Sequence, residues 1–268
     1  MLTVRLTYAL IFTGLACCTT DAMAHSDILL RSIGGKVVVG AAEDLSGEEG
    51  GPFYHLDDKL FEGVFLNPTM PTPPFGYNFE RTEPGFFSAP GLPEGDDLPA
   101  SADISLSLSS FSIGAANDVA YYWGGTGEVD FQPLSVAQPG VSFVFGPASF
   151  ASTDATGAVD DHPLFGLTGG AADGVYLVSP VVSVTGLADS DPFRMVWVAS
   201  SVLVDDETAE ELEGSLEAYE AGGPEPIVGG VNFAFFEEAV EFAGSIPEPS
   251  SALLAALASV VVGATGRR

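Results

Sequence analysis

Residues 175–184, Val-Tyr-Leu-Val-Ser-Pro-Val-Val-Ser-Val, and residues 193–204, Phe-Arg-Met-Val-Trp-Val-Ala-Ser-Ser-Val-Leu-Val, are strongly apolar stretches in the body of the chain. Both are rich in β-branched and aromatic residues, which favour strands. In the second stretch apolar side chains alternate onto both faces. One face carries Met195, Trp197 and Leu203, and the other carries Val196, Val198 and Val202. We therefore predict that residues 193–204 form a central strand covered on both sides.

Shorter strand patterns extend outward from these two segments. Residues 28–33 and 36–41 flank Gly34 and Gly35, a pair typical of a two-residue hairpin turn with positive φ. Further short apolar segments follow, separated by Gly, Pro and Asn. Their regular spacing predicts an all-β fold, either a β-sandwich or a jelly-roll-like barrel. The proline-rich residues 68–99 carry several aromatics, and we expect a long ordered loop packed over a sheet.

A single amphipathic helix is predicted within this β-rich body, over residues 207–219. Asp205 and Asp206 can cap its N-terminus, and Thr208 with Glu211 has the spacing of a capping box. The glutamates of this segment, Glu207, Glu210, Glu211, Glu213, Glu217 and Glu220, predict a solvated face, although they can also be read as metal ligands. After this helix, residues 231–236 are predicted to form a last strand.

The first 24 residues have the pattern of a secretory signal peptide. Arg5 precedes an apolar stretch that ends in the small-x-small triplet Ala22, Met23, Ala24. Cleavage after Ala24 would remove Cys17 and Cys18, leaving no cysteine for disulfides, thiol catalysis or metal binding. The alternative is a lipoprotein acylated at Cys18, because residues 15–18 resemble a lipobox.

The C-terminal segment, residues 246–268, has three parts. Pro247, Glu248 and Pro249 form an extended triplet that no helix can cross. An apolar run over residues 252–264 follows, shorter than the about 20 residues of a stable span. Arg267 and Arg268 end the chain and favour a cytoplasmic C-terminus. The alternatives are an ordinary membrane anchor or a buried helix.

This tail resembles the PEP-CTERM sorting signal, which an exosortase is thought to cleave near its Pro-Glu-Pro. The resemblance implies export, residence in the inner membrane through a C-terminal transmembrane helix, and then transfer to the cell surface or extracellular matrix. It also implies signal peptidase and exosortase as processing partners. The chain then divides into a signal peptide (1–24), an ectodomain (25–245) and a sorting and anchor segment (246–268).

The charge of the chain excludes one class of partner. Eight Lys and Arg residues stand against 37 Asp and Glu, and the formal net charge is −29. Such a protein repels nucleic acid and attracts cations. An extracellular polysaccharide remains open as a partner because Tyr121, Tyr122 and Trp123 are consecutive, although alternation places Tyr122 opposite the other two.

No familiar catalytic motif is present in the sequence, which has no nucleophile elbow, His-Glu-x-x-His, P-loop or Rossmann glycine pattern. The chain is therefore expected to have no catalytic activity. Asp189 with Asp191, or Asp205 with Asp206, can offer oxygen ligands to calcium, although such residues are also common in turns.

The histidines suggest a different metal site. Cleavage after Ala24 makes His25 the N-terminal residue, so that its amine and imidazole can chelate copper or zinc with Asp27 nearby. His162 and His55 are the other imidazoles of the chain, and this donor set resembles the histidine brace of secreted copper proteins. The alternative is three unrelated surface histidines.

The body also resembles uncharacterised exosortase-sorted proteins that begin His-x-Asp and carry a Ser-Asp-Pro-Phe segment. Here the first motif is His25 and Asp27, and the second is residues 190–193. Two functions stay open: a non-catalytic surface or matrix protein, and an extracytoplasmic copper or zinc binding protein. The second function requires a fold that brings the region of His25 close to His162, and the first does not.

Overall fold

A computed structural model describes residues 27–43, 53–68, 76–147 and 149–247. The predicted signal peptide, His25, and the tail from Glu248 to Arg268 lie outside the described residues. Among the helices that are described, none has the length and apolar character needed to cross a membrane.

The described strands are short and follow one another closely. In chain order they are β1 (Asp27–Ile33), β2 (Lys36–Glu43), β3 (Phe53–His55), β4 (Leu60–Phe65), β5 (Phe79–Arg81), β6 (Phe86–Ser88), β7 (Asp103–Leu108), β8 (Phe111–Ile113), β9 (Ala116–Asp118), β10 (Ala120–Trp123), β11 (Gln132–Pro133), β12 (Ser142–Gly146), β13 (Ser149–Ser152), β14 (Val159–Asp161), β15 (Leu164–Thr168), β16 (Gly174–Val178), β17 (Pro180–Val184), β18 (Arg194–Ala199), β19 (Ile227–Val228) and β20 (Val231–Asn232). The helices are α1 (Leu134–Ala137), α2 (Asp206–Glu220) and α3 (Ala234–Ser245).

Four larger sheets make up most of the structure. Their strand orders are β14-β6-β1-β2-β3, β11-β10-β16-β18-β4, β12-β15-β5 and β13-β7-β17, and two hairpins, β19-β20 and β8-β9, complete the set. The predicted all-β class is confirmed. The arrangement is like that of a four-bladed propeller. This arrangement differs from the sandwich or jelly roll that the sequence suggested, because the strands pair within four larger sheets and not two.

The first hairpin is the one that the sequence predicts. β1 pairs with β2 in antiparallel register, with Ile33 opposite Lys36. Gly34 and Gly35 both have positive φ, 61° and 81°. Other L-residues rarely adopt this conformation, so the two glycines fix both the turn and the register of the strands.

Strand β18 lies inside its sheet, between β16 and β4, and every residue of it is buried. Met195 and Trp197 face a first core shared by the four larger sheets. Val196 and Val198 face a second core, formed with α2 and α3. The predicted two-sided central strand is thus present, but it ends at Ala199. Leu203, which follows the strand, packs in the second core instead of beside Trp197.

Helix α2 agrees closely with its prediction. Asp205 caps it by accepting a hydrogen bond from the Thr208 N–H at 3.0 Å, and Thr208 Oγ1 accepts one from the Asp205 N–H at 3.2 Å. The capping box is therefore Asp205 with Thr208, and not Thr208 with Glu211. Glu213 also departs from the predicted solvated face, since it is 5% exposed and lies 3.7 Å from Arg81.

The prediction of a single ectodomain helix is wrong because of α3. Residues 231–236 were expected to form a strand, but only Val231 and Asn232 do so, and Ala234 begins a helix that runs to Ser245. The helix buries Phe236, Ala239, Val240 and Ala243. This is the spacing of one helix face. The apolar residues were compatible with a strand or a helix, and packing against the second core favoured the helix.

The proline-rich region also differs from the expected loop. Within its described part, β5 and β6 add to separate sheets, and β6 lies between β14 and β1. Tyr77, Phe79 and Phe86 are buried. Prolines therefore restrict these strands to three residues each without excluding them from the sheets.

Candidate functional site

Strand order brings the beginning of β1 and the end of β14 to either side of β6. Ile28 pairs with Phe86, and Phe86 pairs with Asp161. Asp27 precedes Ile28 and His162 follows Asp161, so both residues flank Gly85, the residue before β6. The Gly85 N–H donates a hydrogen bond to Asp27 Oδ1 at 2.9 Å.

Gly85 makes the approach of the two side chains possible. A β-carbon placed on it would lie 2.6 Å from His162 Nδ1 and 2.8 Å from Asp27 Oδ1. Both distances are shorter than real contacts of a β-carbon. The imidazole and the carboxylate therefore occupy the space that a side chain at this position would fill.

A second carboxylate completes the cluster. Ligand atoms of Asp27, Asp160 and His162 all lie within 4.8 Å of one another. His162 Nε2 is 3.6 Å from Asp160 Oδ1, and His162 Nδ1 is 3.1 Å from Glu83 Oε2. Burial raises the pKa of Asp27, while the neighbouring His162 and the Gly85 N–H oppose that rise. We call Asp27, Asp160 and His162 the edge cluster.

Of the predicted metal ligands, Asp27 and His162 meet in this cluster and His55 does not. His55 is in β3, at the opposite edge of the same sheet, and pairs with Ala41. Four strand spacings, roughly 19 Å in total, separate β3 from β14. His25 lies outside the described residues.

Three of the four aspartates considered for calcium have other contacts. Asp191 lies 2.7 Å from Lys36 Nζ, and Asp206 lies 2.7 Å from Arg81 NH1. Asp205 caps α2, and hydrogen bonds from the backbone and side chain of Thr208 lower its pKa. Each of these carboxylates therefore contributes to local structure in the described part of the chain.

The three consecutive aromatics of β10 belong mainly to the interior. Tyr121 is 0% exposed and Trp123 is 4% exposed, both in the second core. Tyr122 points to the other face and packs on Tyr176 with ring centroids 5.1 Å apart. The alternation read from the sequence is present, and it leaves no flat aromatic platform on this strand for a sugar.

A second group of acidic residues combines Glu220, one of the helix glutamates that the sequence also allowed as metal ligands, with two glutamates that were not anticipated. Glu62, Glu220 and Glu237 have ligand atoms within 4.8 Å of one another. They come from β4, the last residue of α2, and α3 respectively. We call them the glutamate cluster.

The sequence offered only weak signals for these unanticipated residues. Glu62 lies among apolar residues in Leu60–Phe65, which marks a carboxylate in a buried strand. Asp160 and Glu83 are close to His162 and Gly85 but carry no motif of their own. Their convergence depends on strand order, which short strands do not encode locally.

The described residues end at Pro247, the first residue of the predicted sorting motif. Arg194 NH2 donates hydrogen bonds to the carbonyl oxygens of Ile246 and Pro247, each at 3.1 Å. Its Nε donates to the Ala243 carbonyl at 3.3 Å. Glu248, Pro249, Arg267 and Arg268 lie outside the described residues.

Comparison with known proteins yields no relative. Neither a protein-family model, nor a curated protein, nor a solved structure matches this chain.

Proposed function

We propose that this chain is an exported surface or matrix protein whose tail is cleaved by an exosortase and whose β-rich body has no catalytic activity. The observation that carries the proposal is the order of the tail: Pro247-Glu248-Pro249, an apolar run, and a terminal arginine pair. A signal-peptide pattern at the other terminus supports export.

The end of the described body agrees with processing at this motif. Helix α3 ends at Ser245, and the Arg194 side chain holds the backbone carbonyls of Ile246 and Pro247. Cleavage after this point would retain every core residue in the described part of the chain.

Mass spectrometry of the protein from its own cells tests this proposal. In cells with an exosortase, the mature protein should lack residues 252–268, and a strain without the enzyme should retain them. Glu248→Ala should also retain the tail. Glu238→Ala, which changes an exposed glutamate on α3, is the matched control and should be processed normally. An intact Arg268 on the surface form would contradict the proposal.

A second candidate function is binding of copper or zinc outside the cytoplasm. The observation that favours it is the edge cluster, in which Asp27 meets His162. Imidazole and carboxylate donors suit zinc, and imidazole also suits copper. His25 is separated from Asp27 by one residue, so covalent geometry keeps their Cα atoms within about 7 Å. A free amine and imidazole at His25 would therefore add two nitrogen donors close to this cluster.

Titration with copper and zinc tests this second function. The protein that begins at His25 is compared with a form carrying one extra N-terminal residue, which converts the amine to an amide. We expect both the extension and His162→Ala to weaken binding. His55→Ala removes the same group at the far edge of the sheet and should bind like the parent protein. Equal binding by all four forms would exclude the site.

A further inference from the structure

The glutamate cluster lies where two helices cover an edge strand. β4 is the last strand of its sheet, and Glu62 points from it to the side of the second core. Glu62 is 6% exposed, whereas Glu220, at the end of α2, is exposed. The cluster therefore has a buried floor and an opening to solvent at Glu220.

Two oxygens at the floor of this cluster lack partners. Oε1 of Glu62 and Oε1 of Glu237 are buried, and neither makes a hydrogen bond. A buried carboxyl oxygen without a donor costs free energy, since water would otherwise bind it. Glu62 is more than nine-tenths buried and has an unpartnered oxygen beside two further carboxylates, and this feature indicates a ligand.

The charged neighbours that shift the pKa of Glu62 and of Glu237 are carboxylates. Burial and the nearby Glu220 raise the pKa of Glu62 to about 8. Burial, Glu62 and Glu220 also raise the pKa of Glu237, as does Glu241 one turn further along α3. Arg194, on the adjacent strand β18, donates hydrogen bonds to the carbonyl oxygens of Ala243 and Ile246 at the C-terminal end of α3.

We propose that Glu62, Glu220 and Glu237 form a divalent-cation site whose ligand is Ca²⁺. All the side-chain donors are carboxylate oxygens, the ligands that hard cations prefer, and no nitrogen or sulfur donor belongs to the cluster. Three carboxylates supply up to about six oxygens, and Ca²⁺ accepts six to eight in flexible geometry. Mg²⁺ demands stricter octahedral geometry and releases its water reluctantly, so it fits this set less well.

Bound Ca²⁺ would join three elements that are distant in sequence. β4, α2 and α3 each contribute one ligand, so the ion would tie both helices to the edge of the sheet. Binding requires deprotonation of Glu62 and Glu237, and affinity should therefore rise with pH. The competing arrangement is a set of carboxyl groups that share protons, as the hydrogen bond between Glu220 and Glu237 allows.

Thermal unfolding and calorimetry of the full-length chain in mild detergent separate these arrangements. The protein is freed of metal with a chelator and titrated with CaCl₂ at pH 8 in about 0.15 M salt, which screens diffuse binding to an acidic surface. We expect Ca²⁺ to raise the Tm, with an affinity that falls as the pH is lowered to 6. MgCl₂ should have a smaller effect.

The variants assign the effect to the cluster. Glu62→Gln and Glu237→Gln keep side-chain size, and each should weaken Ca²⁺ binding by more than about tenfold, the scale seen when supporting groups of a metal site are removed. Glu210→Gln makes the same change at an exposed position of α2 and should bind normally. His162→Ala should also bind Ca²⁺ normally, which distinguishes this site from the edge cluster. A parent protein unaffected by Ca²⁺, or a Glu62→Gln variant that responds like the parent, would overturn the proposal and leave a proton-sharing cluster.

Discussion

Asp27 and His162 face each other across Gly85, which has no side chain to separate them. The contact depends on a strand order in which β6 lies between β1 and β14. It links the sequence-based metal hypothesis to the fold, because Asp27 and His162 were both predicted metal ligands, and the structure adds Asp160.

Gly85→Ala should disrupt the edge cluster. Its methyl group would lie 2.6 Å from His162 Nδ1 and 2.8 Å from Asp27 Oδ1, so at least one side chain must move. We expect copper and zinc affinity to fall with little loss of overall stability, since the exposed imidazole can rotate away. Gly214→Ala is a suitable control for the loss of a glycine, because its φ lies outside the positive region and no atom lies within 4 Å of its added β-carbon. Unchanged metal affinity in Gly85→Ala would show that metal binding does not require the close approach of Asp27 and His162.

Stability should depend on pH through Glu62. The pKa of Glu62 is about 8 in the folded protein and about 4.5 when unfolded, so the folded state holds the proton more tightly. Without Ca²⁺, this contribution to stability is complete below pH 4.5 and is lost as pH rises through about 8, at up to about 1.4 kcal/mol per pH unit. Urea unfolding between pH 5 and pH 9 measures it.

Glu62→Gln should flatten this pH dependence, because the amide does not titrate. Glu210→Gln removes an exposed carboxylate from α2 and should keep the slope of the parent protein. If Glu62→Gln retains the full slope, Glu62 does not hold a proton in the folded state at neutral pH.

Trp197 should be a major contributor to the first core. It is fully buried, and its ring lies 4.4 Å from that of Phe65 and 4.8 Å from that of Phe165, centroid to centroid. Trp197→Ala should cost about 3 to 5 kcal/mol of unfolding free energy, as for other large aromatic deletions. Gly63→Ala should also destabilise, because its β-carbon would lie 2.6 Å from Trp197 Cζ3.

Chemical denaturation followed by tryptophan fluorescence and circular dichroism measures both losses. Val136→Ala is the control, since Val136 is 69% exposed and should lose little. A cost for Trp197→Ala near that of Val136→Ala would show that the first core does not depend on this ring.

Arg31 should be more important for stability than its single charge suggests. It is 1% exposed, and its guanidinium donates to the carbonyl oxygens of Glu94, Ala89, Leu92 and Gly95 and lies 3.1 Å from Asp97. Lysine has fewer donors in a different geometry. Arg31→Lys should therefore leave part-buried carbonyls unpaired, at about 1 to 3 kcal/mol for each carbonyl left without a donor.

Lys36→Met is the matched surface comparison for Arg31. Lys36 and Asp191 form an exposed ion pair, with side chains 40% and 76% exposed. Such pairs contribute about 1 kcal/mol or less. Equal losses for Arg31→Lys and Lys36→Met would show that the carbonyl contacts of Arg31 add nothing.

Local patterns predicted the elements whose cause is local. The hairpin at Gly34 and Gly35 was predictable because only positive φ closes a two-residue turn of this kind. Helix α2 was predictable because Asp205 supplies its cap and apolar residues recur on one face. The first three residues of helix α3 were mistaken for part of a strand because residues 231–236, Val-Asn-Phe-Ala-Phe-Phe, suit either structure until packing decides.

By itself, the sequence determined the all-β class, the first hairpin, α2 and the acidic character of the chain, because each depends on neighbouring residues or on composition. The tertiary structure decided the division into four larger sheets and the addition of β6 between β1 and β14. It also decided that Asp27 meets His162 while His55 lies at the far edge of the sheet, and that Glu62, Glu220 and Glu237 converge. These contacts join residues that are far apart in the chain. They depend on which short strands pair and on how helices pack against those strands. The local pattern of apolar and polar residues does not determine either of these.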